Sequence, residues 1–313
     1  MSEEYASAYH APVMVEEVME LLRPERGGTF LDGTLGGGGH AEALLTRGPG
    51  ARLIGVDRDP DALAEAGRRL QRFGERVRLV AATYADAVDA AGIAEGSLDG
   101  VLLDLGISSH QIDEAERGFT FRAGAPLDMR MGQASAGEPS AADLLNTLDE
   151  EELADVFWRY GEEKKSRRLA RVVVEMREEA PFETSDRLVE AIRRALGPRT
   201  DAGDNARIFQ ALRIAVNREI EQLETALPRY RDALAPGGVF AVLAYHSLED
   251  RLVKNAFRDW SRACTCPPGL PVCRCGGVAL GETLTRKPVS ASDEEVRRNV
   301  RARSARLRGW RRA

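Results

Sequence analysis

For its first hundred residues the chain alternates between two hydrophobic rhythms. Short apolar runs at Thr29-Phe30-Leu31, Leu53-Ile54-Gly55-Val56, 77–80 and Leu98 to Leu103 read as buried strands, and between them apolar residues recur at helical spacing over 40–47, 60–73 and 84–91. Before the first strand an amphipathic stretch from Pro12 to Leu22 is stopped by Pro24. The βαβαβ order predicts a parallel, doubly wound sheet. Ligands of such sheets bind outside the carboxyl ends of the strands, where Asp32, Asp57, Tyr84 and Asp104 fall.

From about residue 115 the alternation stops. Helical spacing continues over 140–147, 149–160, 162–179 and 185–196, the composition turns charged, and no comparable strand intervenes. An all-helical domain at 115–204 is therefore expected as an insertion that splits the α/β domain into 1–114 and 205–313. A long helix from Ala206 to Leu227 returns the chain to the sheet, and strand 238–244 follows the Pro236-Gly237-Gly238 turn. The 313 residues carry a net charge of −6, which excludes a uniformly basic nucleic-acid glove. Residues 296–313 nonetheless hold eight arginines and no acid, a basic tail for which a solvated tail and contact with phosphate are both open. No run of about 18 apolar residues occurs, and the acidic start lacks an apolar targeting segment, so a cytoplasmic protein without membrane contact is expected.

The loop Asp32-Gly33-Thr34-Leu35-Gly36-Gly37-Gly38-Gly39-His40 is the most specific chemical signal. A glycine loop between strand and helix binds nucleotide cofactors, and Asp57, about 20 residues on, is placed to accept hydrogen bonds from a ribose diol. A dinucleotide-binding loop follows G-x-G-x-x-G and seats a pyrophosphate on the helix N-terminus. Here the strand ends in Asp32, whose carboxylate repels a diphosphate and welcomes a cation. S-adenosylmethionine carries a sulfonium, an ammonium and no phosphate, and is favoured over a nicotinamide dinucleotide. Gly36, Gly38 and Gly39 with Asp32 and Asp57 form the candidate cofactor pocket.

After the fourth strand comes Asp104-Leu105-Gly106-Ile107-Ser108-Ser109-His110-Gln111. An aromatic amine has a delocalised lone pair, so its attack on a methyl group is helped by acceptors that polarise its N–H bonds. Asp104, a turn carbonyl, Ser108 and Ser109 are candidates, although the serines equally satisfy the turn's own backbone. His246 closes the late strand on the same rim, with substrate contact and a structural hydrogen bond as alternatives. Ser247 with Asp250 three positions on reads as a capping box. The pairs Cys264-x-Cys266 and Cys273-x-Cys275 share one proline-rich segment. Their one-residue spacing is tighter than that of usual zinc sites, so reduced cysteines and no metal are expected.

Taken together these motifs resemble the MraW/RsmH family, the S-adenosylmethionine-dependent methyltransferases of 16S ribosomal RNA cytosine N4. The resemblance runs nearly end to end, through Tyr9-His10-x-Pro12-Val13, the glycine loop, Asp57-Arg58-Asp59-Pro60, Leu102 to Gly106 with Ser108-Ser109, Arg117-Gly118-Phe119-x-Phe121 and Pro126 to Met131. It continues through Tyr160-Gly161-Glu162-Glu163, Phe209 to Ile214, Asn217-x-Glu219 and His246 to Arg251. It implies a Rossmann-like methyltransferase fold with an inserted helical domain that helps receive RNA at the ribosomal decoding region. It also implies that Gly38, Gly39, His40, Asp57, Tyr84, Asp104 and Gln111 line the methyl-donor site. His110 stands in place of the usual proline, Ala244-Tyr245 in place of Ser-Phe, Asn146-Thr147-Leu148 in place of Asn-Glu-Trp, and Asn299-Val300-Arg301 in place of Asn-Pro-Arg. The expected partner is 16S rRNA or the small subunit. An RNA-binding assembly protein that keeps the methyl donor as a structural ligand is the alternative class, and a homodimer is left open.

Overall fold

The computed structural model describes Tyr5 and residues 12–107, 111–112, 114–132, 137–264, 266, 275 and 277–313. The chain forms two compact units, one of Met1–Gly106 with Glu221–Ala313 and the other of Ile107–Ile220.

The first unit is built on strands β1 (Gly28–Asp32), β2 (Ala51–Asp57), β3 (Val77–Ala81), β4 (Leu98–Asp104), β5 (Leu234–Ala244), β6 (Gly281–Thr283), β7 (Val289–Ser290) and β8 (Arg306–Arg312). They lie in the order β3-β2-β1-β4-β5-β8-β6, with β7 also on β8. The first five are parallel, whereas β8 runs antiparallel to β5, β6 and β7. Successive strand residues point to opposite faces. Phe30, Leu53, Leu102 and Leu243 therefore enter one layer, with residues of α1 (Val15–Leu22), α2 (Gly39–Arg47) and α3 (Pro60–Leu70). Leu31, Val101, Leu103, Phe240 and Val242 enter the opposite layer, with residues of α4 (Ala87–Ala90), α10 (Glu219–Ala233) and α11 (Ser247–Trp260). The expected helix over 84–91 is thus only one turn long. The Pro236-Gly237-Gly238 turn is a bulge inside β5, because β4 residues Leu98 and Gly100 pair with Leu234 and Val239.

The second unit holds α5 (Ala141–Thr147), α6 (Glu150–Arg159), α7 (Ser166–Glu179), α8 (Ser185–Leu196) and α9 (Ala202–Asn217). Three of these open on capping boxes, Ser140 with Asp143, Asp149 with Glu152 and Asp201 with Asp204. Leu145, Leu153, Phe157, Val173, Phe182, Ile192 and Leu212 make its core. The only strand-like pairing among its described residues is the isolated bridge Pro126–Thr184.

The unit is wider than the expected 115–204. Ile208, Phe209 and Leu212 of α9 complete its core, and the stretch before α5 is bound to it through Leu127 N to Glu183 O (3.0 Å) and Ser185 N to Ala125 O (2.8 Å). The single long helix expected over Ala206–Leu227 is two helices broken at Arg218, whose φ is +51°. A left-handed residue costs about 1–2 kcal/mol. Buried Asn217 offsets it by donating to Met129 O (2.7 Å) and accepting from Met131 N (2.8 Å), and Arg213 grips Glu219 across the break with two bonds of 2.9 Å. The hydrophobic period continues through the break, which is why the sequence does not display it.

The arginine-rich end is not a tail. Residues 306–312 form β8, an internal strand between β5 and β6, and Trp310 is fully buried against Phe257 and Trp260. Arg308, also buried, forms a fork on Asp250 (2.7 and 3.1 Å), and Arg306 reaches the same carboxylate at 3.3 Å. Arg311 pairs with Glu282 (3.0 Å) and Arg312 donates to Asp232 O (2.6 Å). Removing one partner of a buried pair strands the other, so Asp250→Ala is expected to lower the stability by roughly 3–5 kcal/mol in urea titration. Truncation after Ala305 is expected to abolish the cooperative thermal transition; an unchanged Tm would return these residues to the surface.

Candidate active site at the strand ends

Parallel pairing brings three acids to one rim. Asp32 stands in register with Gly55 on one side and Leu102 on the other, so Asp57 and Asp104 each lie two residues beyond it on the flanking strands. The strand order reverses between β1 and β4, the topological switch point where open α/β sheets bind ligands. The loop after Asp32 stitches the strands together, with Gly33 N donating to Leu102 O (3.0 Å) and Leu35 N to Val56 O (3.0 Å). Gly36, at φ +51°, turns its N–H onto Asp57 Oδ2 (2.8 Å), and a Cβ there would project into open space. Gly38 is the N-cap of α2 at φ +77°, and a Cβ on it would press on Ala66 at 3.3 Å. A side chain at either position is strained.

The acids differ in their partners. Asp32, 2% exposed, accepts only from Thr34 N (3.2 Å) among the described residues. Burial, with further repulsion from Asp104 and Asp57, pushes its pKa up to about 8. Asp57 accepts from Gly36 N and from Asp59 N (2.9 Å), and burial still raises it above the usual carboxylate range. Asp104 is held at three points. Its N–H donates to Thr34 Oγ1 (2.6 Å), its Oδ1 accepts from the Tyr245 hydroxyl (2.8 Å), and its Oδ2 lies 3.5 Å from His40 Nδ1. Burial raises its pKa, opposed by the charge of His40 and the Tyr245 bond. His40 Nε2 is 2.9 Å from Val13 O, which can only accept, so Nε2 carries a hydrogen. A bond between Nδ1 and Asp104 then requires one more proton, on the ring or on the carboxyl. No lysine or arginine among the described residues pairs with these acids. The three acids favour a cation at the rim over a phosphate.

The other expected site residues are more scattered. Tyr84 is half-buried beyond β3, and its carbonyl accepts from the Tyr230 hydroxyl (2.5 Å). Gly39 opens α2 behind the loop, where a Cβ would meet Pro12 at 2.8 Å. Gln111 belongs to the second unit and donates to Met131 O (3.3 Å). Ser108 and Ser109 lie outside the described residues. His246, rather than Ser247, is the N-cap of α11: its Nδ1 accepts from Glu249 N (3.4 Å), and Glu249, rather than Asp250, closes the box. Its Nε2 is 3.0 Å from Glu249 Oε1 but out of hydrogen-bonding alignment. This is the structural alternative for that histidine. Two residues at the site escaped the sequence reading. Thr34 carried no signal beyond its place in the loop, and Tyr245 was visible only as an aromatic with a hydroxyl where phenylalanine is usual.

A doubly wound sheet with three acids at its switch point defines an α/β protein of the class that binds ligands at the carboxyl ends of its strands. The profile of the MraW methylase family matches residues 7–313, and the chain belongs to that family. A ribosomal RNA small subunit methyltransferase H from Gemmatimonas aurantiaca is 56% identical over 308 residues, covering 97% of this chain and 96% of that protein. One from Heliobacterium mobile is 50% identical over 307 residues, covering 96% and 97%. Among solved structures, an rRNA methylase from Streptococcus thermophilus matches 95% of each chain at 10% identity with a TM-score of 0.43, too distant to bear on this chemistry. The chain is a methyltransferase with a Rossmann-like fold, and S-adenosylmethionine is its methyl donor.

Two outcomes follow from the acids. The folded chain keeps a proton on Asp32 up to about pH 8 that the unfolded carboxyl releases near 3.8, so this group costs the ligand-free protein stability as pH rises through that window. A cation beside it expels the proton. Binding of S-adenosylmethionine, measured by calorimetry, is therefore expected to tighten with rising pH by at most about tenfold per unit and to level off above 8. Asp32→Asn should flatten the profile, and a flat profile in the unaltered chain would show that the donor's charge lies elsewhere. Tyr245→Phe removes a bond that favours ionised Asp104 and should shift the pH profile of kcat/KM to higher pH with Tm little changed; an unmoved profile would uncouple Tyr245 from that acid.

Proposed function

We propose that the chain methylates the exocyclic N4 amine of a cytidine in 16S ribosomal RNA, at the decoding region of the small subunit, in the cytoplasm. The observation that carries this reading is Asp104, an acid at the end of β4 with its side chain 12% exposed, which Thr34 and Tyr245 hold in one position and whose affinity for a proton desolvation has raised. A carboxylate so placed accepts an N–H of an aromatic amine and takes up part of the positive charge that grows on nitrogen as its bond to carbon forms. The names of the relatives point to small-subunit RNA as the source of that amine. No helix among the described residues is long and apolar enough to cross a membrane.

When bound, S-adenosylmethionine supplies an electrophilic methyl group on a sulfonium. The residues fit it: Asp32 offers an uncompensated buried carboxylate to a cation, and the loop of Gly36, Gly38 and Gly39 leaves open space above Gly36. Asp57, whose two oxygens accept the backbone N–H groups of Gly36 and Asp59, is a carboxylate fixed at the end of β2 where it can accept from a ribose hydroxyl. His40 lies 3.5 Å from Asp104 and Tyr84 offers an aromatic ring beyond β3; for Gln111, Ser108 and Ser109 the support is the resemblance to the family's motif. The unit of residues 107–220 would receive the RNA, because a base must leave its stack before its amine reaches a buried centre. Arg308 of β8 has no part in this, being buried on Asp250 inside the sheet.

The test is methyl incorporation from labelled donor into small subunits and naked RNA, followed by nucleoside mass spectrometry. N4-methylcytidine is the expected product. Methylation at carbon, or donor binding with no transfer to either substrate, would sink the proposal. Asp57→Ala is expected to weaken donor binding about tenfold or more in calorimetry, as a charged hydrogen bond is worth about 1.5–3 kcal/mol; unchanged affinity would place the ribose elsewhere.

A further inference from the structure

Between α11 and β6 the chain leaves the sheet and returns to the point it left. Leu280 N donates to Trp260 O (2.8 Å), Ser261 Oγ meets Thr283 Oγ1 at 3.0 Å, and a Cβ on Gly277 would fall 2.2 Å from Ala263 O. The base of the loop is therefore closed, and Trp260 anchors it in the aromatic cluster with Phe257 and Trp310. Just above that base Cys264 and Cys266 leave and Cys275 returns. Their sulfurs lie within 4.8 Å of one another, with Cys264 and Cys275 at 3.8 Å.

That spacing has a chemical meaning. A disulfide holds its sulfurs at about 2.05 Å, so these are separate thiols. A tetrahedral zinc ion with Zn–S bonds of about 2.3 Å separates its sulfurs by about 3.8 Å. The chain bends at Cys266 and Cys275, and this overcomes the one-residue spacing that argued against a metal in the linear sequence. Cys264 and Cys275 are exposed and Cys266 half-buried, so the three have not been gathered by packing into an apolar core. Neither donor binding nor methyl transfer makes use of them.

We propose that Cys264, Cys266 and Cys275 bind a zinc ion as thiolates and that the ion staples the α11–β6 loop shut. Soft thiolates select zinc over magnesium or calcium, and zinc adds no redox chemistry to the enzyme. Three thiols lose their protons on binding, so retention weakens in acid. Cys273 lies outside the described residues, and the site stands on the other three.

The full chain, purified without chelators and dialysed against zinc-free buffer, is expected to retain about one zinc per chain by elemental mass spectrometry and to release it when a mercurial blocks the thiols. The triple variant Cys264→Ser, Cys266→Ser, Cys275→Ser should retain less than about a tenth of that while still binding S-adenosylmethionine. Should the variant fail to fold, cobalt(II) added to the unaltered apoprotein decides the matter: intense thiolate-to-cobalt charge-transfer absorption supports the site, and its absence overturns it. A zinc-free chain after reconstitution, zinc retained by the variant, or a disulfide in anaerobically purified protein would each overturn it.

Discussion

Burying carboxylates without a cation beside them is costly, several kcal/mol for each ion, yet Asp32, Asp57 and Asp104 share one rim with, among the described residues, backbone N–H groups, a tyrosine hydroxyl and a histidine for company. The pairing of β1 with β2 and β4 forces them together, and each of those pairings is locked by buried apolar layers on both faces of the sheet. The ligand-free site answers with raised pKa values. A cation placed beside them would relieve the same repulsion, whereas a diphosphate would add to it.

The far side of the sheet serves the same rim. Tyr245 can reach Asp104 because β5 is clamped between β4 and β8, and β8 is held in turn by Trp310 and by the fork of Arg308 on Asp250. The neighbouring acids of α11 divide the work. Glu249 turns back to accept from Tyr245 N (2.9 Å) and close the helix cap, while Asp250 faces β8. One dipeptide therefore couples the C-terminal strand to the residue that steadies Asp104. The cysteine loop leaves from the other end of the same helix, where Trp260 and Trp310 meet.

Much of this was legible before any coordinates. Asp32, Asp57 and Asp104 could be placed at strand ends because each closes an apolar run, and the glycine loop after Asp32 pointed to a nucleotide cofactor, with the acid itself deciding against a diphosphate. The helical insertion was legible from its 3.6-residue period and from caps such as Ser140 and Asp149. Its edges were not, because α9 carries its apolar face through into the unit's core and the break at Arg218 leaves the periodicity intact. The capping box was misplaced by one residue, since histidine is an uncommon cap and serine a common one.

By itself the sequence determined the order of elements, the acids that close the first, second and fourth strands and, through its motifs, the family. These depend on local signals: period, glycine, and acids at the ends of apolar runs. Only the tertiary structure decided what the C-terminal arginines do, what Tyr245 touches and where the cysteines converge. Each of those depends on a partner far away in the chain, Asp250 for Arg308, Asp104 for Tyr245 and Cys264 for Cys275. An arginine carries the same charge in solvent or inside a sheet, and the burial that separates the two cases comes from strands brought together by the fold.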